Sequence, residues 1–162
     1  MKRFILLITA TLFFAFHIAV GSSAAEDIPE PLRTVPLNEA GDIVVMTNLE
    51  LKEGKELFND KCAVCHKGGY TKTNPNIRLG AKYLALAIPP RDNLEGIIDY
   101  LNNPTTYDGE IEISELHPST KSADLFRSMR NVTKNDLRNI AGYMLYKLNQ
   151  RPGTWGCGKV CN

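Results

Sequence analysis

The chain lacks several things, and each absence narrows its chemistry. It carries only three histidines, four cysteines and one tryptophan in 162 residues. No repeat or low-complexity tract interrupts it, and no second domain stands out, so a single domain is expected. Neither sign of charge dominates: 19 basic residues face 18 acidic ones. That balance gives no basis for a nucleic-acid surface or an anionic-membrane surface. No residue set suggests a general acid–base or nucleophilic site, so neither an enzyme nor a small-molecule substrate is expected.

The first 25 residues read as an export signal rather than as part of the fold. Lys2 and Arg3 form a positive start, Phe4 to Val20 is almost wholly apolar, and Gly21-Ser22-Ser23-Ala24-Ala25 offers small residues for cleavage. A retained membrane anchor is the alternative, but the run is short and its end looks cleavable. Cleavage after Ala25 leaves 26–162 as one domain, with 17 basic and 18 acidic residues. Export places the chain where disulfides and covalently attached cofactors persist.

What is present is a pentapeptide, Cys62-Ala63-Val64-Cys65-His66. Two thiols three apart with an adjoining imidazole form the attachment signature of a c-type haem. On a helix, positions i, i+3 and i+4 share one face. Cys62 and Cys65 can then each bond one vinyl group of one haem c, while His66 points at the iron. A redox dithiol would need a βαβ context, and a zinc site would need a second ligand pair.

Periodicity and caps predict the elements around this motif. Residues 26–34, with Pro29 and Pro31, read as an extended arm. Val35-Pro36-Leu37 and Ile43-Val44-Val45-Met46 flank a turn-rich stretch and predict a small hairpin. A helix capped by Thr47 or Asn48 should run to about Cys62. Residues 67–92 read mainly as loop. Asp92 with Glu95 predicts the start of a second helix, whose stripe is Leu94, Ile97, Ile98 and Leu101. A short helix is expected near Ser122 to Ser128. Thr133 with Asp136 opens the last helix, whose stripe is Leu137, Ile140, Ala141, Met144, Leu145 and Leu148. Gly54 and Gly142 each sit in mid-helix at a cost of about 1 kcal/mol relative to Ala, which predicts a tight crossing of the first and last helices. Helices around one attached haem resemble the class I cytochrome c fold, giving an all-α domain with a small N-terminal β-hairpin.

The second axial position has few candidates. His17 leaves with the signal, so His117 is the one other imidazole. Met46, Met129 and Met144 are the available thioethers. Met144 lies on an apolar stripe and Met46 looks like a strand residue. Met129 follows His66 by 63 residues and His117 follows it by 51. Pro118 holds His117 in extended backbone. Spacing leaves His117 and Met129 both open. The choice matters, because a thioether ligand raises the reduction potential of haem iron.

Several further stretches resemble the PsbV family, the cytochrome c-550 extrinsic subunit of photosystem II. They are Thr71-Lys72-Thr73-Asn74-Pro75, Pro89-Pro90-Arg91-Asp92-Asn93, Asn103-Pro104-Thr105-Thr106-Tyr107-Asp108-Gly109, His117-Pro118-Ser119 and Ser122-Ala123-Asp124. The similarity spans essentially the whole exported chain. The resemblance implies attachment at Cys62 and Cys65, with His66 and His117 as axial ligands and Met129 as core or pocket lining. It also implies a thylakoid-lumen location, peripheral on the membrane through protein contacts with the photosystem II core and the other extrinsic subunits. There the family supports the calcium and chloride environment of the manganese cluster. The redox role of its haem is left open. A freely diffusing lumenal or periplasmic electron carrier with His/Met ligation is the competing function.

The C-terminus departs from the family pattern. Trp155-Gly156-Cys157-Gly158-Lys159-Val160-Cys161-Asn162 has Cys157 in place of a glycine, and Cys161 and Asn162 in place of two tyrosines. A diverged paralogue is one reading. A Cys157–Cys161 disulfide, two free thiols or a soft metal site are the chemical readings of the pair.

Overall fold

The computed structural model describes residues 27–157. The export signal expected over 1–25 lies outside them. Among the described residues no helix is long and apolar enough to cross a membrane.

The described chain is mostly helical, with one two-stranded antiparallel sheet. The expected extended arm instead forms a single helical turn, α1 (Glu30–Arg33), with Pro31 in its first turn, where a missing N–H costs nothing. Strands β1 (Thr34–Pro36) and β2 (Ile43–Val45) follow, with Val35 paired to Val44. The Asn38 side chain accepts from the backbone N–H groups of Ala40 and Asp42, which closes the turn between them. Met46 lies one residue beyond β2 and is wholly buried.

Helix α2 (Asn48–Lys61) opens on a reciprocal box in which Thr47 and Glu50 satisfy each other's backbone N–H groups. The last helix, numbered α6 (Lys134–Gln150), opens on the same device at Thr133 and Asp136. These two helices pack on each other and form the centre of the molecule. Leu51, Phe58, Leu137, Ile140 and Tyr143 lie in one hydrophobic core with Leu94, Ile97 and Leu101. Helix α5 (Leu94–Asn102) is capped by Asn93, whose side chain accepts from Gly96 N, and not by Asp92 as expected.

Two further expectations differ. The 67–92 stretch contains a short helix, α4 (Ala81–Ala85). Ser122 to Ser128 forms turns ending in a 3-10 turn at Arg127–Met129, with no α-helix. The cause is local: Ser119 and Ser122 bond each other's backbone N–H groups through their hydroxyls, and such bonds compete with helix formation. Of the two mid-helix glycines, only Gly54 lies in the crossing, against Asn139 and Tyr143 of α6. Gly142 faces Met46 instead.

Candidate haem-binding site

The attachment motif sits where α2 ends. Cys62 caps that helix, and Ala63–His66 forms a separate helical turn, α3. The N–H groups of Cys65 and His66 both reach back to the Cys62 carbonyl, so the three reactive side chains share one turn, as the spacing predicts. Cys62 and Cys65 are free thiols and half-buried. Burial pushes the Cys62 thiol up to about 12.

His66 is oriented by its neighbours. Its Nδ1 lies 3.2 Å from the hydroxyl of Thr71, a residue only 7% exposed. A hydrogen bond at one ring nitrogen fixes the tautomer and leaves the other for a metal. The chain turns back here, with Lys72 N donating to the Cys65 carbonyl. Burial lowers the His66 pKa, which favours the neutral, ligating form.

His117 arrives from a loop and faces His66, with ring centroids 6.1 Å apart. An imidazole nitrogen sits about 2 Å from a bound metal, so two rings sharing one ion have centres about 6 Å apart. His117 Nδ1 is buried and has no hydrogen-bond partner. Its pKa falls to about 4, through burial first, with the His66 and Arg91 side chains adding to the effect.

The loop holding His117 is locked on both sides. His117 N donates to Ile113 O, and Ser122 Oγ donates to the His117 carbonyl. Ser119 is wholly buried, with its hydroxyl 2.8 Å from that of Ser122. Thr120 N donates to Leu101 O on α5. The ring of Tyr100, also on α5, lies 4.9 Å from that of His117. The Arg91 guanidinium covers Tyr100 at 3.9 Å and donates to the carbonyls of Thr105 and Thr106. Arg91 is 7% exposed, and its Nε has no partner.

Sequence reasoning gave no role to Thr71, Arg91 or Tyr100. Thr71 and Arg91 lie in motifs that carried the family resemblance, and only the fold shows that those motifs meet at the two histidines. Met129, the rival ligand, is 4% exposed within the hydrophobic core. Met46 and Met144 belong to the same core. No described cluster of three or more His, Cys, Asp or Glu could hold a separate metal ion. Cys157 is disulfide-bonded, one of the three readings of the C-terminal pair, and Cys161 lies outside the described residues.

The residues present fit a covalently attached haem: two adjacent thiols, a neutral imidazole beside them and a second imidazole at metal-sharing distance. A helical domain built around that set is a c-type cytochrome. Residues 26–162 match the cytochrome c-550 domain model, and the chain belongs to that family. It is 52% identical over 159 residues to photosystem II extrinsic protein V of Nostoc punctiforme, covering 98% of each chain. A solved cytochrome c549 aligns with a TM-score of 0.78 at 52% identity, covering 80% of this chain and all of that one. The PsbV2 cytochrome of Thermosynechococcus elongatus aligns at 0.64 with 31% identity, over 76% of this chain and 87% of that one. The class I cytochrome c-like fold expected by resemblance is therefore present, with its small β-hairpin.

Proposed function

We propose that this chain is a low-potential cytochrome with one haem c, bonded at Cys62 and Cys65 and ligated by His66 and His117. The observation that carries the reading is the 6.1 Å separation of the two imidazole rings. Its relatives are named as extrinsic proteins of photosystem II. We extend that assembly to this chain, as a peripheral subunit on the lumenal side beside the core and the other extrinsic polypeptides. Its role there is to stabilise the oxygen-evolving complex and its calcium and chloride environment. Residues 1–25 direct export and are removed by cleavage after Ala25.

The haem supplies a one-electron couple at its iron. The chain's own residues decide how that couple is used. Thr71 orients His66, the Ser119–Ser122 lock holds His117, and burial favours the neutral form of both rings. Two imidazoles favour the ferric state more than an imidazole–thioether pair does. Were His66 and His117 both to bind the iron, they would leave it no position for a substrate, so no catalytic turnover is proposed.

The ligand set is tested on the oxidised protein in the near infrared. His/Met ligation gives a sulfur-to-iron band there, and the proposed set gives none. His117→Ala should abolish the low-spin spectrum, while Met129→Leu should keep it. The reverse pattern would establish Met129 as the ligand. The partnership is tested by washing isolated photosystem II with concentrated salt, which should release this chain. Finding it only in the soluble fraction before any wash would make it a diffusing carrier.

A further inference from the structure

Away from the two histidines, a cavity of about 400 Å³ opens between α2, the loop after α3 and the end of α6. Neither histidine lines it. The buried rings of Phe58, Tyr143 and Trp155 contribute its wall, together with Lys67, Lys147 and Arg151. No carboxylate among the described residues lines it. We infer that this cavity is the docking site for an acidic peptide segment of photosystem II, which seats a carboxylate among the three cations and an adjoining apolar group on the three rings.

Three observations support this. The cations are uncompensated: the ion pairs among the described residues are Lys61–Asp60, Lys121–Glu112 and Arg138–Glu50, and none includes them. Lys147 is held in place without an acid, between the Gln150 side chain and the rings of Tyr146 and Trp155, which lie 5.9 and 5.8 Å from its Nζ. Its pKa is lowered, by burial first and then by Arg151 and Lys55, so the positive charges crowd one another. A carboxylate arriving there relieves that repulsion.

The second observation is donor excess. The lining residues Asn59, Lys67, Lys147, Arg151 and Thr154 can all donate, while the unpartnered Trp155 indole N–H is shielded from solvent. The third is charge segregation on a chain close to neutral. A separate groove along α2 is lined by Glu53, Glu56, Asp60 and Asp136, so the basic cavity is not a sample of the average surface. The accessible lining is partly apolar, which favours a peptide side chain over a bare inorganic anion. The volume falls in the range of cavities that hold one or two side chains or a small ligand. Complementary charge of this kind sets orientation and encounter rate, and it makes binding salt-sensitive.

The inference rests on the photosystem assembly proposed above. Its test is rebinding of the haem-loaded chain to photosystem II membranes stripped of extrinsic polypeptides. The variant is Lys67→Glu with Arg151→Glu, two exposed positions. Lys82→Glu with Lys134→Glu, also exposed, makes the same change in net charge elsewhere. An unaltered haem spectrum reports correct folding. The cavity variant should bind at least tenfold more weakly, and the control within about twofold of the unaltered chain. Equal binding by both variants, or equal loss in both, would overturn the cavity as the docking site while leaving the assembly intact. Failure of the unaltered chain to bind would remove the assembly and this inference together. Carbodiimide coupling gives a second measurement. It should join Lys67 or Lys147 to a carboxylate of a photosystem polypeptide, and couplings confined to other lysines would overturn the inference.

Discussion

A Cβ placed on Gly54 would lie 2.0 Å from the backbone oxygen of Asn139 on the crossing helix. That oxygen cannot move without moving α6, so the glycine sets how closely the two central helices approach. Phe58, one turn later, fills the space beside the crossing, with its ring 5.6 Å from Tyr143 and 5.7 Å from Trp155.

Gly54→Ala should therefore destabilise the protein by roughly 2–4 kcal/mol, in the range of severe core overpacking. Gly142→Ala should cost less. Its Cβ would meet the methyl end of Met46 at 2.2 Å, and a methionine side chain can rotate away. Denaturant unfolding of the two haem-loaded variants measures the order. A Gly142 variant less stable than the Gly54 variant would contradict this account of the crossing.

Arg91 is a buried cation stacked on Tyr100, which in turn packs against His117. No ion pair among the described residues includes it. Reduction removes one positive charge from the nearby iron, so a fixed cation favours the reduced state. Arg91→Gln should lower the midpoint potential by several tens of millivolts, where about 59 mV is tenfold for one electron. Arg91→Lys should stay closer to the unaltered value, because it keeps the charge and loses the fork. Potentiometric titration reads both, and an unchanged Soret spectrum shows that the haem environment is otherwise intact.

Glu50 gives a pH dependence of definite sign. Burial acts to raise its pKa, but hydrogen bonds from Thr47 and the contact with Arg138 outweigh it and hold the carboxyl below the usual range. The native state thus binds this proton less readily than the unfolded chain does. The stabilisation is complete above the ordinary glutamate range and is lost as pH falls through the lowered native value. Glu50→Gln should be less stable than the unaltered chain by about 1 kcal/mol near pH 7, a typical value for a capping contact with a partly exposed ion pair. The difference should shrink on acidification, and urea midpoints across the acid range check it. A difference that grows towards low pH would contradict the assignment.

The two boxed helix starts, Thr47 with Glu50 and Thr133 with Asp136, were legible because a cap is a contact over three residues. The apolar stripe of α6 was legible for the same reason: periodicity is local. The start of α5 was misread by one residue, since Asp92 and Asn93 offer equivalent side-chain oxygens and backbone geometry chooses between them. The Ser122–Ser128 helix failed because the Ser119 and Ser122 hydroxyls, one and four residues after Pro118, accept from each other's backbone N–H groups in a loop. Gly142 was read as a crossing residue from its mid-helix place, but which face it presents depends on Met46, a contact 96 residues away.

The sequence by itself determined the attachment chemistry. Cys62, Cys65 and His66 stand at i, i+3 and i+4, the spacing that one helical turn brings to a common face. It also limited the second ligand to one imidazole and a few thioethers. Tertiary structure decided what lies opposite His66. It placed His117 within metal-sharing distance while burying Met129 in the core, and it gathered Thr71, Arg91, Tyr100 and the two serines around the pair. Those choices depend on how separate loops pack against α5 and against each other. Contacts of that kind are set by the burial of whole surfaces, so no spacing along the chain encodes them.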